Sequence, residues 1–319
     1  MNKLVVGVDL GGTNIKTGVV NSEGKVLVRC RMTTQADRGP EGVADRINET
    51  IEQCREKLSE QSSDIVGAGI GSPGPLDLKR GIVIFAPNLE GWDNVPLQQM
   101  IEDRSGLPCF LENDANAAAL GEQWVGAGKN ASSLVQFTLG TGIGGGIVLN
   151  GKVWHGFRDC AGEIGHMTLE PEGPICGCGN RGCVEALASA TNMVRRMQET
   201  IDDGGETILR EKRDELTARD IYEAAVEGDE PALENMETTG YYLGTAVANI
   251  LHILNPEVIV FSGGVTAAGN MLMQPIRQTA KKRTMEACWR GTKIRFAELG
   301  DDAGIIGAAR SYMVERMNQ

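Results

Sequence analysis

Residues 163–185 read EIGHMTLEPEGPICGCGNRGCVE, and they place three cysteines within eight residues, beginning ten residues after a histidine. Three thiolates and one imidazole are the ligand set of a tetrahedral zinc site in which protein fills all four coordination positions. The intervening glycines allow the tight backbone turns that bring several sulfurs to one ion. The predicted zinc ligands are His166, Cys176, Cys178 and Cys183.

The predicted metal is structural, because four protein ligands leave no coordination position for an activated water. Two alternatives are a disulfide pair and cysteines that are simply buried. A disulfide is disfavoured because the Cys-x-Cys spacing suits its geometry poorly and no secretion signal is present. The zinc interpretation is therefore preferred, with the ion serving to hold its neighbours in place.

Two carboxylates flank the predicted ligands, namely Glu163 and Glu185. A bound ion would fix them relative to each other, and two fixed acceptors suit a ligand with many hydroxyl groups. Glu185 has a second interpretation, as a favourable charge in the first turn of the following helix. That helix is predicted from an apolar stripe formed by Leu187, Ala190, Val194, Met197 and Ile201. Both interpretations of Glu185 stay open.

The composition sets limits on the function. The length of 319 residues allows two domains, and the 41% hydrophobic and 23% charged content is typical of globular proteins. The net charge of −12 disfavours nucleic acid or anionic membranes as partners. No apolar run approaches the ~20 residues of a transmembrane helix, and no signal peptide is apparent. A reducing cytoplasm is the expected location.

Two glycine-rich turns each connect two predicted strands. The first turn, 9–14, joins strands at 4–8 and 15–20, and the second, 139–146, joins strands at 134–138 and 147–149. The second matches the GxGxxG spacing, but a dinucleotide fingerprint must open a helix, so that interpretation is rejected. Exposed backbone N–H groups in such hairpins suit phosphate, and Asp9 could hold Mg²⁺ through water. A plain hairpin turn is the alternative.

Further candidates come from single positions. Asp114 lies between a strand at 109–112 and a helix at 115–124, where ligands bind in α/β folds, so it is the candidate general base. A helix N-cap is its structural alternative. Asn88 is interpreted as a ligand contact or a turn residue. His155 and His252 have no predicted partner and are assigned structural roles.

Taken together, these motifs resemble a known family. The two Gly/Thr hairpins, the acid between them and a late Gly-Gly turn are similar to the actin-like ATPase (ribonuclease H-like) fold of sugar kinases. The pattern from Glu163 to Glu185 resembles the ROK family (repressor, open reading frame, kinase). The resemblance implies an α/β fold of two lobes with a cleft, expected at 1–115 plus 303–319 and at 116–302.

The family resemblance also implies roles for particular residues. The ATP phosphates would be held by Gly11, Gly12, Thr13, Thr141 and Gly142, with Gly264 near the adenosine. The sugar would be held by Asn88, Asn113, Asp114, Glu163, His166 and Glu185. His166 would serve both zinc and sugar, one imidazole nitrogen each, and Asp114 would deprotonate the sugar hydroxyl.

The implied activity is ATP-dependent phosphorylation of a hexose with Mg²⁺, a phosphotransfer to an alcohol group. The bacterial glucose kinases of the family are the most similar, so D-glucose is the expected substrate, with N-acetylmannosamine, mannose or fructose as alternatives. A non-catalytic sugar sensor is a further alternative. Family repressors carry an N-terminal helix-turn-helix, which a first strand starting by residue 4 is expected to exclude. A homodimer or homotetramer is expected.

Overall fold

The computed structural model describes residues 3–59, 64–86 and 88–317, and the chain divides into two compact units. The first unit comprises Met1–Leu134, Gly146–Gly162 and Ala297–Gln319, and the second comprises Val135–Gly145 and Glu163–Phe296. These units differ from the expected lobes in that residues 116–134, 146–162 and 297–302 belong to the first unit. The two compact units need not coincide with the two lobes of the fold, so the lobe boundaries stay a prediction.

The secondary structure of the described residues is mixed α/β. In chain order, the strands are β1 (Leu4–Leu10), β2 (Asn14–Val20), β3 (Val26–Thr33), β4 (Ile65–Ser72), β5 (Leu76–Asp77), β6 (Ile82–Phe85), β7 (Asp93–Val95), β8 (Cys109–Asn113), β9 (Ser133–Leu139), β10 (Ile143–Leu149), β11 (Lys152–Val153), β12 (Val258–Ser262) and β13 (Lys293–Phe296). The α-helices are α1 (Gly39–Leu58), α2 (Leu97–Ser105), α3 (Asp114–Val125), α4 (Val184–Ala188), α5 (Ala190–Asp202), α6 (Ala218–Val226), α7 (Glu230–Ile253), α8 (Asn270–Arg283), α9 (Glu286–Trp289) and α10 (Ala303–Arg316).

The main sheet of the first unit has the order β3-β2-β1-β4-β8. The predicted strands at 4–8 and 15–20 are confirmed as β1 and β2, and β1, β2 and β3 pair antiparallel as a meander. Strands β4 and β8 run parallel to β1, with Asp9 paired to Gly71 and Ser72 paired to Asn113. Because parallel strands end at the same edge of a sheet, the residues that follow β1, β4 and β8 gather there.

Helix α10 lies against this sheet at very short range. A Cβ on Gly7 would come within 1.9 Å of the Ile305 carbonyl oxygen, and one on Gly69 within 1.7 Å of the Ala308 oxygen. Only glycine permits this approach, because any side chain would overlap the helix backbone. Helix α10 contacts β1, β4 and α3. Apolar residues are therefore buried around nearly its whole circumference.

Helix α1 packs in the core cluster that includes residues of β1, β2 and β4. Its buried stripe contains Val43, Ile47, Ile51 and Cys54, which recur at helical spacing. The buried hydroxyls of Thr17 and Thr50 are paired with each other by a hydrogen bond of 2.7 Å.

The second unit is built around β12, β13 and the helix pair α7–α8. Strand β12 pairs parallel with β13, and the boundaries between the units fall within β9 and β10. Helices α7 and α8 approach closely at Gly240 and Gly244, where a Cβ would lie within 2.7 Å of Pro275 or Thr279 side-chain atoms. Within the described part of the chain, no helix has the length and apolarity needed to cross a membrane.

The predicted single helix after Glu185 is wrong, because Ser189 divides it into α4 and α5. Ser189 has extended backbone angles, and its side chain accepts a hydrogen bond from the Asn192 N–H, so it caps α5. The buried stripe of α5 is Met193, Met197 and Ile201, and the expected stripe member Val194 is only half-buried. Helix α6 begins with a capping box, in which the Thr217 and Asp220 side chains each accept a hydrogen bond from the other residue's backbone N–H.

Candidate functional site

The four predicted metal ligands converge in the second unit. The ligand atoms of His166, Cys176, Cys178 and Cys183 all lie within 4.8 Å of one another. The sulfurs of Cys178 and Cys183 are 3.8 Å apart, far longer than the S–S bond of a disulfide. A tetrahedral ion with metal–sulfur bonds of about 2.3 Å would place its sulfurs about 3.8 Å apart. The donor set and spacing therefore fit a metal ion bound by four protein ligands.

The loop that carries the cysteines is shaped by short-range backbone contacts. The Cys176 N–H donates to the Asn180 carbonyl at 2.8 Å, and the Gly179 N–H donates to the Cys176 carbonyl at 2.9 Å. At Gly182, which has a φ of 61°, a Cβ would lie 1.5 Å from the Glu170 carbonyl oxygen. The glycine there allows the return turn that brings Cys183 back to the cluster.

His166 faces two groups through its two ring nitrogens. Its Nδ1 lies 3.7 Å from the Cys176 sulfur, and its Nε2 lies 4.0 Å from a carboxylate oxygen of Glu163. Both residues belong to one turn, because Glu163 directly precedes the 3₁₀ segment Ile164–His166. A Cβ on Gly165 would lie 1.9 Å from the Ile143 carbonyl oxygen, so this turn packs tightly against the start of β10.

Glu185 connects the cysteine cluster to the second glycine hairpin within this unit. One carboxylate oxygen accepts a hydrogen bond from the Ile143 N–H at 2.9 Å, and the other lies 3.6 Å from the Cys176 sulfur. A Cβ on Gly142 would come within 2.3 Å of the first oxygen. Glu185 also lies in the first turn of the short helix α4, so the open alternatives for this residue are compatible with each other.

The second hairpin links β9 to β10, which agrees with rejection of the dinucleotide fingerprint. Thr141 and Gly264 both line a neighbouring cavity of about 500 Å³ in the second unit. Sequence reasoning missed most of its other lining residues, which include Met193, Arg219 and Tyr222. Met193 lies in the buried stripe of α5, where helical spacing does not distinguish a cavity wall from an ordinary core position.

The first hairpin lies at the sheet edge of the first unit. The Gly11 N–H donates to the Asn14 carbonyl at 3.0 Å, and the Thr13 carbonyl accepts from the Thr34 N–H at 2.8 Å. A Cβ on Gly12 would lie 3.3 Å from the Asn88 Cβ, so the structure brings these two predicted site residues together. Asn88 itself is exposed.

The side chain of Asp9 lies next to the first turn of α10. Its carboxylate lies 4.0 Å from the Lys16 ammonium, and a Cβ on Gly304 would come within 2.6 Å of its Cγ. Burial raises the pKa of Asp9, the Lys16 charge opposes that shift, and the Asp301 charge adds to it. A bound divalent cation would favour the ionised form and lower this pKa.

Asp114 is the first residue of α3, and its predicted structural alternative is wrong. The N-cap is Asn113, whose side-chain oxygen accepts from the Ala115 and Asn116 N–H groups at 3.0 and 3.2 Å. One Asp114 carboxylate oxygen accepts from the Ala115 N–H at 2.8 Å. The Asn113 amide also donates to the Gly74 carbonyl at 3.3 Å. The side chain of Asn113 is therefore engaged in local structure, although it was predicted to contact a ligand.

Sequence reasoning also missed a contact between His155 and Glu112. The His155 Nε2 lies 2.8 Å from a Glu112 carboxylate oxygen, and the Glu112 side chain is 2% exposed. The partners are 43 residues apart, and no short motif connects them. The other histidine assigned a structural role, His252, accepts a hydrogen bond from the Met285 N–H through its Nε2.

Similarity to known proteins extends over nearly the whole chain. A model of the ROK family matches residues 5–314. A glucokinase of Halalkalibacterium halodurans is 40% identical over 306 residues, which cover 95% of this chain and 92% of the relative. A xylose repressor of Caldicellulosiruptor bescii is 32% identical over 305 residues, covering 95% of this chain and 76% of the repressor.

Solved structures give the same family. The ROK hexokinase of Thermus thermophilus superposes with a TM-score of 0.83 and 34% identity, covering 99% of this chain and 100% of the hexokinase. A ROK family glucokinase of Streptomyces griseus, solved in complex with glucose and AMPPNP, has a TM-score of 0.78 and 35% identity over 96% and 98% of the two chains. The predicted actin-like ATPase fold and the predicted family are confirmed.

Proposed function

The chain belongs to the ROK family, and from this premise we propose that it transfers the γ-phosphoryl group of ATP to the 6-hydroxyl of D-glucose. The observation that carries the proposal is the arrangement of Glu163, His166 and Glu185 around the cysteine cluster, beside the hairpin at Gly142. Such an arrangement joins acceptors for sugar hydroxyls to a phosphate-binding turn. The glucokinase relative, matched over most of both chains, supports glucose as the acceptor.

Asp114 is the proposed general base. It begins α3 directly after β8, at the sheet edge where ligands bind in α/β folds. Phosphoryl transfer needs the attacking hydroxyl aligned with the γ-phosphate, and a carboxylate that accepts its proton assists this step. The remaining proposed sugar contacts are Asn88, Asn113, Glu163, His166 and Glu185.

The nucleotide is proposed to bind through both glycine hairpins. The turns at Gly11 and Gly12 and at Gly142, together with the hydroxyls of Thr13 and Thr141, would hold its phosphates. The cavity lined by Thr141, Gly264 and Tyr222 has walls of the kind that suit a nucleoside. Mg²⁺, which Asp9 would hold through water, would neutralise charge on the transferred group.

Zinc is the metal proposed for the cluster of His166 and three cysteines. Thiolate and imidazole ligands with tetrahedral spacing favour it, and four protein ligands make the site structural. Zinc on Nδ1 of His166 would leave Nε2 available to the sugar. The proposed setting is the cytoplasm, where thiols stay reduced, and the proposed assembly is a homodimer or homotetramer. The proposed lobes remain 1–115 with 303–319 and 116–302.

The test of function is a coupled assay of ADP release with five sugars, namely glucose, mannose, fructose, N-acetylglucosamine and N-acetylmannosamine. We expect the highest kcat/KM for glucose and a 6-phosphate product. A higher kcat/KM for another hexose would replace the substrate but keep the reaction. Sugar binding without ADP release for any of the five would instead favour a sugar sensor, the role that the repressor similarity leaves as the second candidate.

A substitution at Gly142 tests the link between the hairpin and Glu185. We expect Gly142→Ala to raise KM for ATP by about 10-fold, because the added methyl group displaces the Glu185 carboxylate and frees the Ile143 N–H. The measurement is steady-state kinetics with ATP varied at saturating glucose. Zinc content serves as the control and should stay at the wild-type value. An unchanged KM for ATP would contradict the proposed link.

A further inference from the structure

The carboxylate of Glu112 is the centre of a buried hydrogen-bond network in the first unit. One oxygen accepts from the Asn113 N–H at 2.9 Å and lies 3.4 Å from the Asn116 side-chain amide nitrogen. The other oxygen lies 2.8 Å from His155 Nε2. Because a carboxylate only accepts hydrogen bonds, Nε2 must carry the proton in this contact. Glu112 thus joins His155 to the backbone that leads into Asp114.

The imidazole is held in place by a folded segment. The Ala161 N–H donates to the His155 carbonyl at 3.0 Å, and Gly156, with a φ of 73°, makes the intervening turn. The same segment is attached to the rest of the first unit where Asp159 accepts from the Leu78 N–H at 3.2 Å. These contacts fix the direction from which the imidazole meets Glu112.

We propose that His155 is a positioning residue for the reaction, acting through Glu112 to fix the backbone at Asn113 and the direction of the Asp114 carboxylate. This inference rests on the proposed function of Asp114 as the base. A nearly fully buried carboxylate needs all of its partners, and loss of one leaves a charge that is costly to keep in place. Without His155, the Glu112 carboxylate loses one of the contacts that hold its orientation, so the acceptor of the Asn113 N–H is no longer fixed in place.

The size of the effect follows from the geometry of the reaction. Asp114 must meet a hydroxyl within hydrogen-bond distance while that hydroxyl faces a phosphate, and an error of about 1 Å in such an arrangement costs about 10²-fold in rate. Such a displacement of the Asp114 carboxylate slows proton transfer more than it weakens nucleotide binding. If His155 and Glu112 served only the fold, loss of His155 would lower stability, and it would not reduce kcat while leaving the KM for ATP unchanged.

The charges that face His155 come from three elements. They are Glu112 on β8, Asp159 in the segment of His155 itself, and Glu315 on α10. Burial alone would lower the pKa of His155, but the Glu112 hydrogen bond and these negative charges raise it above 6.5. The protonated form of His155 therefore adds to the free energy of unfolding. This contribution is fully present below pH 6.5 and is lost as the pH rises through the raised pKa of His155.

The experiment compares His155→Leu, which removes the donor, with His155→Gln, which retains an amide donor. His252→Leu is the matched control, because it removes a hydrogen-bonded histidine from the second unit. We expect His155→Leu to lower kcat by about 10²-fold with KM for ATP unchanged, and His155→Gln to recover most of that loss. The control should keep the wild-type kcat.

Two measurements do not depend on turnover. The chain has three histidines, so the His155 ring signal can be assigned by NMR from its loss in His155→Gln, and its pKa should fall in Glu112→Gln. The Asn113 amide should exchange faster with solvent in His155→Leu. If no sugar is phosphorylated by the wild type, the proposed function fails while these measurements still test the network.

Several outcomes would overturn the inference. One is a wild-type kcat in His155→Leu. Another is an equal loss of kcat in His155→Gln and in His155→Leu, because the amide donor of the glutamine should restore kcat if the proposal is right. Equal changes in kcat and in the KM for ATP, with an unchanged Asn113 amide, would assign His155 a structural role only.

Discussion

Asp114→Asn should lower kcat by about 10²–10⁴-fold, the usual cost of removing a positioned general base. The fold should persist, because an asparagine oxygen can still accept the hydrogen bond from the Ala115 N–H that Asp114 accepts. Glucose binding should also persist, because an amide keeps most polar contacts of a carboxylate. Steady-state kinetics and calorimetric titration with glucose measure the two quantities.

Asp229→Asn provides the matched control for this change. Asp229 is the N-cap of α7, where its side chain accepts a hydrogen bond from the Ala232 N–H, so the same atoms change at another helix start. We expect the control to retain its wild-type kcat. Turnover of Asp114→Asn within a few-fold of wild type would rule out Asp114 as the base, and parallel loss of glucose binding would assign it to binding instead.

The second large effect is expected at the metal cluster. Elemental analysis should find about one zinc ion per wild-type chain and almost none in Cys183→Ala, because three ligands do not complete the tetrahedral site. The free energy of unfolding should fall by at least about 2.7 kcal/mol, the contribution of a site filled at 100 times its dissociation constant. Denaturant unfolding with and without a chelator measures this loss.

Cys109→Ala separates loss of the metal from loss of a buried thiol. Cys109 is as fully buried as Cys183, but its sulfur donates to the Leu107 carbonyl at 3.3 Å and belongs to β8. The control should keep its zinc and lose as much stability with chelator as the wild type does, whereas Cys183→Ala should show no stability change with chelator. A wild-type protein that is fully active and contains no metal would contradict the structural role of zinc.

The parts of the site that sequence could predict are those encoded locally. His166 and the three cysteines lie within a short stretch whose glycines set its turns, so their convergence follows from spacing. Asp114 was identified because a strand followed by a helix places the connecting residues at a sheet edge. Glycine hairpins were also recognisable, because two strands flank each one.

The parts that sequence could not predict depend on contacts between distant residues. Glu112 looked like an ordinary strand residue, and only the fold brings His155 to it. The hydrogen bond from Ile143 to Glu185 likewise spans 42 residues. Ser189 was missed as a helix boundary for a different reason: its capping hydrogen bond to the Asn192 N–H is local, but the apolar stripe continues beyond it and conceals the break.

Helix α10 has a consequence for the order in which the protein is made. Its close seat on Gly7 and Gly69 belongs to the first unit, yet residues 303–316 leave the ribosome only after every residue of the second unit. During synthesis, one face of the first unit's sheet stays uncovered until α10 has been made. By that time, all residues of the second unit have already been synthesised. Chaperone protection is therefore needed most by strands β1 and β4, which are synthesised early and covered late.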